Sequence, residues 1–391
     1  MDLSKLSLIL ILAYAYFVNI FVLYLKKPAF GAAYLLLIVS VLFFVEKINK
    51  IPKKWTIESK LTLICIALMG LSVLLQRIVF YDRVDVFGIS AHEYLRSVYM
   101  MISFWFFSGA AISKLRMEKN QAISVLLMLP FCILVYPFLN EYYLISYENL
   151  ARDGFIGVNH LLIAEMILLV GFLSYSLAEG DLRWIVILIT VALMYACGGR
   201  TSLYLGSIVF GVFQYVMGGK KDRIFLISVL MLIIFAISFM QTLEVDIGVG
   251  RMFLTSGFLT DESWIEREAL LESGLSGLMD QVLIGNVSKL VEINGGVGTF
   301  IHNVISAWQF FGFYCFILIL IIVYQVCRKV YLVMSEVACL SVADIFGLLC
   351  LSYGILGVIV SKYIGFSFLW FSLGFWVWRL QYKKQTLQLS R

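Results

Sequence analysis

The sequence predicts an all-α polytopic membrane protein with about twelve transmembrane helices and one large loop carrying an amphipathic helix. Three observations predict it. First, 62% of the 391 residues are hydrophobic and only 14% are charged, against about 45–50% and 25% in an ordinary soluble domain. Second, apolar runs such as 61–76, 121–139, 224–240 and 304–325 approach or reach the roughly 20 residues that a helix needs to cross a bilayer. Third, a single long polar segment, 242–302, interrupts this pattern. A spanning β-barrel would show ten-residue segments of alternating polarity instead, and none is visible.

Taken in order, the spans fall at about 6–25, 29–45, 61–80, 94–113, 121–139, 160–178, 183–198, 201–217, 223–241, 303–325, 337–361 and 363–379. The first ends at Lys26 and Lys27 with no break at a small-residue cleavage site, so it reads as a retained helix rather than a signal peptide. The seventh and eighth are short, and the last two are joined by a tight turn. The whole chain, 1–391, reads as one membrane domain, with 242–302 as the loop between the ninth and tenth spans. Basic residues gather on the cytoplasmic side of membranes. With the N-terminus inside, most of the 30 Lys and Arg residues fall in inside segments, among them Lys47, Lys50, Lys53, Lys54, Lys114, Arg116, Lys119, Lys220, Lys221 and Arg223. Both termini are then cytoplasmic and the large loop lies outside. The seven cysteines lack a C-x-x-C pair and sit mostly in apolar runs, which fits packed small hydrophobes better than a disulfide framework or a zinc site.

The loop carries nine acidic and three basic side chains and is rich in Leu, Ile, Val, Phe and Trp, a composition that orders rather than disorders. Ser263 and Glu266 form a Ser-x-x-Glu capping box. Trp264, Leu271, Leu275, Leu278 and Val282 then repeat near helical spacing, with Gly285 as a stop. Such a helix lies on the membrane surface or over the bundle. The following Asn294-Gly295-Gly296-Val297-Gly298 reads as flexible backbone.

An ionisable residue within a membrane segment points to function. Arg77 stands near the outer end of the third span and Arg96 at the start of the fourth. His160 opens the sixth, with Glu165 little more than a turn deeper. Arg200 lies in Gly198-Gly199-Arg200-Thr201-Ser202 between two short spans. Arg251, Arg267 and His302 lie in the loop or at its end, and Asn303 follows. Arginines and histidines thus gather near one face, while the midplane holds little charge. A carrier would place its site at the midplane on broken helices and would draw on Asp344 and Lys362. An outer-face enzyme fits better. Arginine's planar fork of donors matches phosphate oxygens, and fixed cations stabilise a departing pyrophosphate. His302 titrates near working pH and is a candidate base or acid. No acidic pair has metal-ligand spacing, so neither a metal nor another cofactor is expected, and nothing points to nucleic acid. The plainer readings are that Arg77 and Arg96 anchor the interface, that His160 caps its helix, that Glu165 pairs with a neighbouring helix, and that Arg251 and Arg267 pair with loop acids.

Three motifs in this order resemble the O-antigen polymerase and O-antigen ligase superfamily of bacterial envelope glycosyltransferases. They are Gly198-Gly199-Arg200-Thr201-Ser202, Asp261-Glu262-Ser263-Trp264-Ile265-Glu266-Arg267 leading to Leu283-Ile284-Gly285, and Ile301-His302-Asn303 before an apolar span with Gly312. The resemblance extends to the architecture of nearly the whole chain. It departs at Gly285-Asn286-Val287, where the family shows Gly-x-Gly, and at Ala269 to Leu271, where the family often has Trp. The resemblance implies metal-independent glycosyl transfer at the outer face of the bacterial inner membrane, from a glycan on undecaprenyl pyrophosphate. By it, Arg200 and Arg267 hold the pyrophosphate, and His302 activates the acceptor hydroxyl or assists the leaving group. Arg251, Arg77, His160, Glu165 and Asn303 are further substrate-binding candidates. The partners implied are the lipid-linked oligosaccharide, membrane lipids, a chain-length regulator and a flippase. The aromatic-rich chain and its plain Ile-His-Asn junction resemble the polymerases more than the ligases, which transfer to lipid A–core.

Overall fold

The computed structural model describes residues 2–25, 33–49, 55–85, 88–140, 143–145, 160–229, 231, 262–278, 283–296, 300–336 and 340–389. It is all-helical, with no strand among the described residues. The helices are α1 (Leu3–Asn19, prolonged by a π turn to Tyr24), α2 (Ala33–Asn49), α3 (Ile57–Val79), α4 (Ala91–Ile112), α5 (Gln121–Leu126) and α6 (Leu129–Val135). Next come α7 (His160–Leu177), α8 (Leu182–Ala196), α9 (Arg200–Met217), α10 (Glu262–Ser276) and α11 (Val287–Asn294). The last four are α12 (Ser306–Phe311), α13 (Phe313–Glu336), α14 (Val342–Val360) and α15 (Ser367–Leu389). Among the described residues, six helical segments are long and apolar enough to cross a membrane: Leu3–Tyr24, Ile57–Val79, Ala91–Ile112, Gln121–Phe138, Phe313–Ser335 and Val342–Val360.

α7, α14 and the first half of α15 are apolar on nearly every face, as helices enclosed by others are, and together with α4 they form the centre of the bundle. α4 and α15 approach most closely. A Cβ on Gly109 would lie 1.9 Å from the Phe371 carbonyl oxygen, and one on Gly374 would lie 1.9 Å from that of Phe106. Paired glycines of this kind let two membrane helices meet backbone to backbone. α3 and α13 pack at the periphery and present Leu71, Leu74, Ile321 and Tyr324 outward.

The two ends of the bundle differ. At one end Asp344, in a capping box with Ser341 at the start of α14, meets Arg379 at 3.1 Å and Lys383 at 2.9 Å. Arg379 also donates to the Ser113 and Leu115 carbonyls just past α4, at 3.0 and 3.1 Å, where helix-end carbonyls lack intrahelical partners. Glu58–Lys329 and Glu46–Lys114 pair elsewhere among these helices, at 2.7 and 2.8 Å. The cysteines at 65, 315 and 350 are buried free thiols, and Cys197 is buried as well.

Several expectations change at element boundaries. The fifth span is broken at Leu127–Met128 ahead of Pro130, and the tenth is broken at Gly312, whose φ of +92° suits glycine. The loop helix starts at Glu262, so Ser263 lies in its first turn rather than ahead of it. It ends at Ser276, short of Val282 and Gly285. It packs over the bundle through Gly274 and Leu278, while Leu275 is exposed. Gly285 is not a helix stop. A Cβ there would lie 2.4 Å from the Gln309 carbonyl oxygen, so glycine is needed for backbone contact with α12. The glycine run after Asn294 begins with an ordered residue: Gly295, at φ +72°, is the left-handed cap of α11. Of the ninth span only its beginning, helical over 220–229, lies within the described residues.

Candidate active site

The end of the bundle away from Asp344 is organised by the turn between Ile301 and Ser306. Gln309 accepts from the Ile301 amide at 3.0 Å and Asn303 Oδ1 accepts from the Ile305 amide at 2.8 Å. Ser306 Oγ donates to the Asn303 carbonyl at 2.6 Å and accepts from the Ile364 amide at 2.8 Å. That last bond fastens the turn to the bend between α14 and α15. His302 projects from this turn, with its ring 5.0 Å from that of Phe300. Phe300 packs on Tyr363 at 4.5 Å and on Tyr94 at 6.3 Å, giving the histidine an aromatic floor.

The same bend carries Lys362. Its backbone N–H bonds to the Gly357 carbonyl at 2.8 Å, closing α14, and its side chain is 10% exposed. Lys362 Nζ donates to Glu165 Oε1 at 2.7 Å, and Ser367 Oγ donates to Glu165 Oε2 at 3.1 Å. Lys362 also lies 5.3 Å from the centre of the Phe366 ring. A buried ammonium needs such a partner to remain charged.

α9 brings the third part. Gly198, at φ +67°, turns the chain out of α8. Gly199 lies so close to α7 that its Cβ would be 3.1 Å from that of Ala164, the neighbour of Glu165. Arg200 therefore opens α9 half-buried beside α7. The next two residues tie α9 to α14 and its bend: Thr201 Oγ1 lies 3.4 Å from Ser361 Oγ, and Tyr353 Oη donates to Ser202 Oγ at 3.0 Å.

These groups set the state of His302. Burial, then the positive charges of Arg267 on α10 and of Lys362, push its pKa down from 6.5 to about 4. At neutral pH the imidazole is uncharged, with a lone pair on one ring nitrogen. A neutral base beside two or three cations can accept a proton from a hydroxyl while an anion is held next to it.

His302 and Arg267 thus come together, and Arg200 joins the same end of the bundle. Glu165 is in the cluster, but its carboxylate is occupied by Lys362 and Ser367. The Asn303 side-chain oxygen is occupied within its own turn. Arg77 lies apart, exposed at the last turn of α3. His160 is the first residue of α7, and its side chain lies outside the described residues, as does Arg251. Lys362, which the sequence couples to Asp344 in a carrier, is separated from it by the length of α14 and belongs with His302 instead. Its signal is a lysine in a turn too short to carry it away from two apolar spans. Among the described residues no three metal-ligating side chains converge. Comparison with protein-family models, curated proteins and solved structures finds no match for this chain.

Proposed function

We propose that the protein is a metal-independent membrane glycosyltransferase that polymerises lipid-pyrophosphate-linked oligosaccharide units into O-antigen or a related surface polysaccharide, at the outer face of a bacterial inner membrane. The observation that carries this reading is the neutral, half-buried His302 next to Arg267 and Lys362. His302 takes the proton of the acceptor hydroxyl as its oxygen attacks the anomeric carbon of the donor sugar. The bond from that carbon to the pyrophosphate breaks, and the bonding electrons leave on the phosphate oxygen. Arg267 and Arg200 hold the anion, since a guanidinium offers two parallel donors to phosphate. Lys362, kept in place by Glu165, adds a third positive charge. The alternative reading is a ligase that uses the same donor and transfers the glycan to lipid A–core.

Deleting the gene in its host and running the surface polysaccharide on a gel tests both. A single repeat on lipid A–core with no ladder identifies a polymerase. Bare core, with polymer retained on the lipid carrier, identifies a ligase. An unchanged ladder rejects both readings.

A further inference from the structure

A concave site lies between α3 and α4, a cavity of about 700 Å³, within the roughly 300–1,000 Å³ of ligand pockets. Its mouth holds Arg77 and Arg96, both exposed. Its length is apolar and outward-facing, along Ala67, Leu71, Leu74 and Met100. Gly70 makes room for the floor, since a Cβ there would lie 2.7 Å from the Tyr99 hydroxyl.

The dimensions identify the occupant. From Arg77 down to Ala67 is ten residues of helix, or about 15 Å, which is about half the ~30 Å hydrocarbon core, or one leaflet. The groove therefore has a charged top and an exposed apolar wall whose length along α3 matches one leaflet. The acids at the mouth are accounted for in part. Asp82 binds the Ser90 hydroxyl, the His92 amide at 3.2 Å and the His92 ring at 3.0 Å. Glu93 is the remaining carboxylate, and no carboxylate among the described residues pairs with Arg77 or Arg96.

We propose that this groove seats a lipid with a phosphate headgroup, its phosphate between Arg77 and Arg96 and one chain along Ala67, Leu71, Leu74 and Met100. The groove is separate from the His302 cluster but mechanically joined to it. Gln76, beside Arg77, donates to the Phe310 carbonyl at 2.6 Å and accepts from the Val287 amide at 3.1 Å. On α4, Tyr94 faces the aromatic floor while Glu93 and Arg96 line the groove. The proposal does not depend on glycosyl transfer.

The test uses the full chain, purified in detergent and stripped of lipid, titrated by native mass spectrometry with dioleoyl phosphatidic acid, dioleoylglycerol and inorganic phosphate. The wild type is expected to bind the phosphatidic acid at least tenfold tighter than either other probe. Arg77→Gln/Arg96→Gln is expected to lose that margin, and Ala67→Trp, which fills the groove, to weaken binding as well. Arg83→Gln, on the loop between α3 and α4 but outside the groove, is expected to bind as wild type does. An unchanged double variant, equal binding of inorganic phosphate, or an equal loss in Arg83→Gln overturns the proposal. Thermal unfolding of each variant confirms that a loss of binding is not a loss of fold.

Discussion

His302 is held neutral by burial first and by two neighbouring cations second, and these causes separate by experiment. A base works only when unprotonated, so activity falls on the acid side as pH drops through its pKa. The acid limb of turnover by protein in vesicles is expected near pH 4 rather than 6.5. Lys362→Met removes one of the cations, so the limb should move upward while His302 itself is untouched. A limb that stays in place in Lys362→Met would show that this lysine does not act on the histidine. The same depressed pKa makes the unfolded chain the better proton acceptor between about pH 4 and 6.5, so this residue's contribution lowers stability as pH falls through that window. Glu165→Gln leaves Lys362 buried without a carboxylate. Removing one partner of a buried pair costs about 3–5 kcal/mol, and the thermal midpoint in detergent should fall accordingly, whereas an unchanged midpoint would mean that water reaches the lysine.

At the scale of elements, glycines decide where helices touch or stop. Gly109→Ala would drive a methyl into the Phe371 carbonyl, so it is expected to cost about 1–3 kcal/mol. Gly211→Ala, whose Cβ meets only ordinary contact at 3.7 Å, serves as the neutral control for thermal unfolding. Gly312→Ala combines a positive φ with a Cβ 2.3 Å from the Leu283 carbonyl oxygen, and it should destabilise the join between α12 and α13. These positions also explain what the sequence reveals. Apolar runs locate most helices because burial in lipid demands them. His302, Arg267 and Arg200 stand out because charge near a span is costly. Gly285 misleads, because a glycine that ends a helix and one that admits a neighbouring backbone look alike in one dimension. Lys362 is hidden for a related reason: its partner Glu165 is far away in the chain, and depth within the bundle cannot be read from hydropathy.

At the scale of the molecule, the His302 cluster and the α3–α4 groove open toward the same end. Arg83 of the α3–α4 loop pairs with Glu292 of α11 at 3.2 Å, whereas Lys60 lies at the opposite end of α3. In a background without the seven native cysteines, Tyr81→Cys and Ile293→Cys should react with an impermeant maleimide from one side of the membrane, and Lys60→Cys from the other. Labelling of all three from one side would refute a membrane-spanning α3.

The close approach of α4 and α15 at Gly109 and Gly374 has a consequence for motion. Where two backbones touch, sliding or rotation of one helix against the other meets a collision, so α4 and α15 are expected to move together. α4 carries Tyr94 and Arg96, while the bend leading into α15 carries Lys362. The floor of the cluster and one wall of the groove are therefore parts of a single stator. On the proposed function, substrate is then expected to enter by displacement of the outer pieces, α3, α10 and α13, against this centre.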